Sequence, residues 1–261
     1  MNPVPPLSPA AKFRRVLLKV TGEGFGPPGG AGVQLDGVEI IGRQIAEVAE
    51  LGVETAVVVG GGNILRGSNF AGDDRLQEAT AHYMGMLGTV INALALQDVL
   101  ERKFGLDTRV QSAIDISKVA EPFIRRRAIR HLEQKRIVIL AAGIGNPFFT
   151  TDTCAAQRAS ELGCEVLLKG TKVDGVYTAD PNKDPQAARY DRLSYSEVMT
   201  KNLRVMDQTA IAFCREHDLP IIVFNLRKAG AVRRVVLGEN VGTWITAERS
   251  VLSAPAGAAQ G

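Results

Sequence analysis

The chain alternates short apolar runs with longer amphipathic stretches. Residues 15–20 (RVLLKV), 54–59 (ETAVVV), 108–114, 137–140 (IVIL), 165–169 (EVLLK) and 219–225 (LPIIVFN) are brief and rich in β-branched residues. That is the pattern of strands buried on both faces. Residues 242–246 predict a final edge strand. Between the runs, apolar residues recur at helical spacing. In 38–51 they are Ile41, Ile45, Val48 and Ala49, with Gly52 as the stop. In 73–104 they are Leu87, Val90, Ile91, Leu94 and Val99. Further helices are expected over 121–133, 153–162 (closed by Gly163), 194–201, 206–217 and 230–237. This β-α alternation predicts an α/β fold: one mostly parallel sheet covered on both faces.

Glycine-rich loops fall at the predicted strand ends, where ligands bind in such sheets. Lys19 ends the first strand and is followed by Thr21-Gly22-Glu23-Gly24-Phe25-Gly26. It is either a solvated lysine or a phosphate ligand. The second strand runs into Gly60-Gly61-Gly62-Asn63-Ile64-Leu65-Arg66-Gly67. Bare amides of such a loop can face phosphate oxygens, and Arg66 can add a charge-assisted fork. Residues 136–152 (RIVILAAGIGNPFFTTD) join a strand, a glycine turn and hydroxyls at a helix start, a place to hold an anion or an ordinary capped turn. Neither a Gly-Lys-Ser/Thr nor a full G-x-G-x-x-G after the first strand occurs, so Walker A and Rossmann readings are not supported.

Composition narrows the classes. Apolar content of 45% with 23% charged residues is that of a soluble globular protein. A net charge of +3 is too small to imply nucleic acid or a membrane surface. Arg125, Arg126, Arg127 and Arg130 make 121–133 basic; a solvated face, RNA or a nucleotide effector all fit. Cys154, Cys164 and Cys214 show no metal-ligand spacing and suggest a reducing compartment, so cytoplasm is expected. No apolar run approaches the ~20 residues of a membrane span. Residues 1–12 and 248–261 are expected as tails around a single domain at 13–247.

Together LLKVTGE, VVVGGGNILRG, YMGMLGTVINALALQD, GNPFFTTD, TKVDGVYTADP, RVMD and PIIVFN resemble the bacterial UMP kinases of the amino acid kinase fold family. The likeness spans residues 15–246. It implies a three-layer α/β/α sandwich with a central, mostly parallel twisted sheet, and a homohexamer. The implied reaction is ATP + UMP → ADP + UDP with Mg²⁺. On that resemblance Lys19, Val20, Thr21 and Gly22 line the ATP phosphates, with Gly62 and Arg66 at the transferring group. Thr171, Tyr177 and Asp180 hold the adenosine part. Gly61, Ile144, Gly145, Asn146, Pro147, Phe148, Phe149, Thr150 and Thr151 hold UMP. GTP and UTP are implied as activator and inhibitor, with Arg109 and Arg136 on the effector surface. No protein metal ligand is expected.

Three positions depart from the family pattern. Thr21 replaces serine and keeps the hydroxyl. Ile144 replaces threonine and removes a hydrogen bond to the nucleotide. His82 replaces an aspartate that binds the ribose hydroxyls, so ribose recognition is open here, and Asp73 or Asp74 are substitutes.

The acceptor phosphate, with a second pKa of ~6, is already mostly dianionic at pH 7. Positioning and charge neutralisation are therefore expected to carry catalysis, without a strong base. Lys19, Arg66, Asp152 and Asp207 are the catalytic candidates, the two aspartates as groups that orient Lys19 or water. A carboxylate or carbamate kinase, and a non-catalytic nucleotide-binding protein, are the competing readings.

Overall fold

The computed structural model describes residues 5–27, 30–65, 75–179, 181, 183–184, 186–203 and 205–253. Arg66, Asp73, Asp74 and Asp180 lie outside them. The strands are β1 (Arg15–Val20), β2 (Glu54–Val59), β3 (Thr108–Ser112), β4 (Glu121–Pro122), β5 (Ile137–Ala141), β6 (Val166–Thr171), β7 (Tyr190–Ser194), β8 (Ile221–Asn225), β9 (Thr243–Thr246) and β10 (Val251–Leu252). The helices are α1 (Leu35–Ala49), α2 (Glu78–Phe104), α3 (Arg125–Glu133), α4 (Thr151–Leu162), α5 (Tyr195–Thr200), α6 (Gln208–Glu216) and α7 (Ala231–Val236).

All the strands join one sheet in the order β10-β7-β9-β8-β6-β1-β2-β5-β3-β4. From β8 to β4 every pairing is parallel; β9 against β8 and β10 against β7 are antiparallel. The period-2 alternation of each strand feeds two cores. Val16, Leu18, Val57, Val59 and Ile139 face α1, α2 and α7. Leu17, Ala56, Val58, Leu140 and Leu167 face α3, α4, α5 and α6. The result is the expected three-layer sandwich. By length and composition α2 would suffice to cross a membrane, but here it lies against α1, β3 and β5.

Several expected boundaries shift. The basic helix begins at Arg125, because Gln111 and Ser112 of β3 draw Glu121 and Pro122 into a parallel pair at the sheet edge. Proline is tolerated there because an edge strand leaves one side unpaired. Gly22–Gly24 forms a 3-10 turn inside the loop expected to be irregular. Parts of the stretches expected as tails are tied to the domain. The Ser8 amide donates to the Leu51 carbonyl at 2.8 Å, and the Lys12 amide to Val236 at 2.9 Å. The Lys12 ammonium stands 4.2 Å from the Trp244 ring centroid. At the other end Val251 and Leu252 pair with β7. The backbone on both sides of 13–247 thus finds partners on the domain.

Candidate active site

The parallel register places Lys19 of β1 directly beside Lys169 of β6. Both lie on the sheet face that α4 covers, and both are only 6% exposed. Two buried ammonium groups side by side need an anion. Asp152, in the first turn of α4, supplies it. Its Oδ2 accepts a hydrogen bond from Lys169 Nζ at 2.5 Å, and its Oδ1 lies 2.8 Å from Lys19 Nζ. The second contact is an ion pair out of line for a hydrogen bond, so Oδ1 has no in-line donor. Burial pushes the Asp152 carboxyl up, but the charges of Lys19 and Lys169 more than reverse this and hold it below the usual carboxylate range. Burial pulls Lys169 below the usual lysine range despite the opposing pull of Asp152. Asp207 also acts on Lys169 through its charge, so the two ammonium groups are held at the strand ends by two aspartates.

The phosphate loop is fixed by close backbone packing. A Cβ on Gly22 would sit 2.4 Å from the Gly62 nitrogen, and one on Gly61 would sit 2.6 Å from the Gly85 carbonyl of α2. Only glycine permits either approach. Asn63, after the glycines, exchanges two amide hydrogen bonds with Asn92 of α2 at 3.0 and 2.7 Å. Asn92 also donates to the Gly60 carbonyl, and Asn63 to the Gly32 carbonyl.

The turn after β5 takes left-handed conformations at Ala142, Gly143, Gly145 and Phe148. Thr89 of α2 accepts the Ala142 amide at 2.7 Å, and His82 Nδ1 accepts the Phe148 amide at 2.9 Å. Thr150 caps α4 by accepting from the Asp152 and Thr153 amides. Gly61, Gly62, His82, Ile144, Phe149 and Thr151 are among the residues around a cavity of ≈ 180 Å³, which Asn146 and Thr150 also line. Gly145, Pro147 and Phe148 shape the loop but do not line it. Gly145 turns under Ala113, whose carbonyl would be 2.9 Å from an added Cβ. Phe148 is 66% exposed.

On the other side of the lysines, Thr171 and Tyr177 border a cleft of ≈ 380 Å³ whose apolar wall includes Val173, Leu203 and Val205. Thr21 lines a neighbouring cleft of ≈ 280 Å³. The strand order β6-β1-β2-β5 sets the layout. The Thr171 end and the residue-142 end are three strand spacings apart, about 14 Å, with the lysines and glycine loop between them.

Five of the expected residues are also held by contacts within the fold. The Val20 side chain is fully buried in the core, and its carbonyl accepts the Gly60 amide. Asp207 caps α6 through the Ala210 amide and accepts from the hydroxyls of Thr150 and Thr153. Thr150 donates its hydroxyl proton to Asp207. Arg109 and Arg136 share the Asp107 carboxylate, at 2.5 and 2.6 Å, where β3 and β5 begin, at the opposite end of the parallel strands from the lysines. Lys169, Thr89 and Asn92 are functional candidates that sequence reading missed. Lys169 had a signal, a strand-end lysine like Lys19, but only the strand register shows that the two meet.

The sequence pattern of the Amino acid kinase family matches residues 14–225. A UMP kinase from Bacillus anthracis is similar over 93% of this chain and 99% of its own, with 40% identity and a TM-score of 0.89. A UMP kinase from Ureaplasma parvum is 32% identical over 90% of this chain and 99% of its own, with a TM-score of 0.83. A uridylate kinase from Archaeoglobus fulgidus is 25% identical over 88% of this chain and 99% of its own, with a TM-score of 0.65. With its lysine-aspartate-lysine cluster between two clefts on one parallel sheet, the chain belongs to the amino acid kinase family.

Proposed function

We propose that the protein is a UMP kinase that transfers the γ-phosphoryl group of ATP to UMP. The observation that carries this is Lys19 and Lys169 bridged by Asp152 between the Thr171–Tyr177 cleft and the cavity below Phe149. ATP lies in the first with its phosphates toward the lysines, and UMP in the second. A non-bridging oxygen of the UMP phosphate attacks the γ-phosphorus in line, the bond to the β–γ bridging oxygen breaks, and ADP leaves with that electron pair. Charge on the equatorial oxygens is met by the lysine ammonium groups and the amides of the glycine loop. Asp152 keeps both lysines aimed and is not a base, since its depressed pKa makes it a poor proton acceptor.

Among the described residues no cluster of three His, Cys, Asp or Glu side chains forms a metal cage. A Mg²⁺ carried by the nucleotide phosphates and water would supply further neutralisation of phosphate charge. We also infer regulation by GTP and UTP through the Arg109–Arg136 edge, a homohexameric assembly and a cytoplasmic setting. The three free, buried thiols among the described residues suit that setting. A coupled ADP-release assay with ATP and UMP, CMP, N-acetylglutamate or carbamate tests the reading. UMP-dependent turnover is expected. Equal turnover without UMP, or faster turnover with an amino-acid or carbamate acceptor, would sink it.

A further inference from the structure

We propose that His82 is a positioning and specificity residue of the acceptor site, which latches the Phe148 loop and offers the ligand a single N–H donor. The proposal rests on the UMP kinase reading for the ligand but not for the latch. Phe148 is a non-glycine residue at φ 70, a left-handed conformation that an L side chain holds only against a steric cost. Two contacts from His82 sustain it. Nδ1 accepts the Phe148 amide at 2.9 Å, and the imidazole stands edge-on to the Phe148 ring, with centroids 4.9 Å apart and planes at 89°. His82 is carried on α2, the same helix that holds the start of this turn through Thr89. The loop is therefore pinned to one rigid element at both ends.

The hydrogen bond also fixes the tautomer. A nitrogen that accepts from a backbone amide uses its lone pair there, so in the neutral ring the proton is on Nε2. That nitrogen is 3.9 Å from the exposed Glu78 carboxylate, beyond hydrogen-bond reach. His82 borders the acceptor cavity, so Nε2–H is what it can present to a ligand there. A carboxylate at this position would accept from two neighbouring hydroxyls at once. This imidazole gives one donor and has no acceptor left. A sugar hydroxyl must meet it as an acceptor, and a vicinal diol cannot be gripped by both oxygens as donors. The consequence is weak discrimination between UMP and 2′-deoxy-UMP.

The latch is tested without any ligand, by amide hydrogen exchange resolved at residues 145–149. In His82→Ala the Phe148 amide should exchange roughly tenfold faster, the loss expected for one hydrogen bond, while amides of β5 are unchanged. His82→Asn should restore protection, because its Oδ1 can take the place of Nδ1. Kinetically, His82→Ala should raise KM for UMP about tenfold, with kcat within about threefold and KM for ATP unaltered. His82→Asp should raise the UMP over 2′-deoxy-UMP preference in kcat/KM at least fivefold above the unsubstituted protein. Unchanged exchange at Phe148 in His82→Ala overturns the latch. An unchanged nucleotide preference in His82→Asp overturns the specificity role. An unsubstituted protein with no UMP-dependent turnover overturns the specificity role together with the kinase reading, and leaves the exchange result to decide the latch.

Discussion

Lys169 shows how a side chain's meaning depends on its neighbour across the sheet. In sequence it is one of many lysines, closing a strand as a solvated residue would. In the fold it sits beside Lys19, with Asp152 between them. Replacing Lys169 with alanine should lower kcat roughly 10²-fold, the usual effect of removing one charge-stabilising donor, with little change in KM for UMP. Single-turnover measurement checks this, and a kcat within threefold of the original would refute it. Asp152 gives a second prediction. Its folded pKa is depressed, so the stability it contributes is complete above the ordinary carboxylate value of about 3.9 and is lost as pH falls through the lower folded value. Urea unfolding from pH 5 downward should show that loss. In Asp152→Asn the acid-dependent slope should be shallower and the protein less stable at pH 7. Lys19 and Asp152 were visible from sequence because each ends or opens a recognisable motif. The capping duty of Asp207 was not, because it depends on how α4 and α6 pack.

At the scale of elements, α2 organises the site more than its motif suggests. Read as periodicity it is a core helix with small residues for close packing. In three dimensions it reaches the acceptor turn through His82 and Thr89 and the phosphate loop through Asn92. The Asn63–Asn92 pair is fully buried on the helix side, and without Asn92 both Asn63 Oδ1 and the Gly60 carbonyl lose their donor. Asn92→Ala should therefore cost about 1–3 kcal/mol, the range for leaving buried polar groups unpaired. Chemical denaturation measures this; a loss under about 0.5 kcal/mol would show that water or a shifted loop replaces the pair. Sequence reading recovered the central strands because double-sided burial leaves an unbroken apolar run. It missed β7 (YDRLS), where only Tyr190 and Leu193 are buried and polar residues stand between them. It missed β4 and β10 because two-residue edge strands carry no pattern at all.

At the scale of the whole molecule, the outer face of α2 exposes Tyr83, Leu87 and Ile91 at 45%, 47% and 47%. Spaced four apart, they form one stripe on the side of the helix away from the sheet. The proposed assembly would cover such a stripe with a second copy. Leu87→Glu should then shift the mass measured by light scattering to a smaller species at micromolar concentration. An unchanged mass would place the subunit contact elsewhere. Composition and motifs foretold the sandwich and the lysine-bearing strand, but no sequence feature could say which strands are neighbours. The order β6-β1-β2-β5 is a property of the sheet alone, and it sets where the two clefts proposed for donor and acceptor stand.

That order has a historical consequence. The cavity proposed for the acceptor is lined by the glycine loop after β2, by α2 and by the turn between β5 and α4, whereas the cleft proposed for the donor is built on β6 and the segment after it. Between them lie β1, which carries Lys19, and β2, which leads into the glycine loop. On the proposed assignment, changes in α2 and the β5–α4 turn can redirect what receives the phosphoryl group while the cleft after β6 stays intact. A lineage on this scaffold can thus acquire new substrates by editing a few residues on one side of a fixed engine.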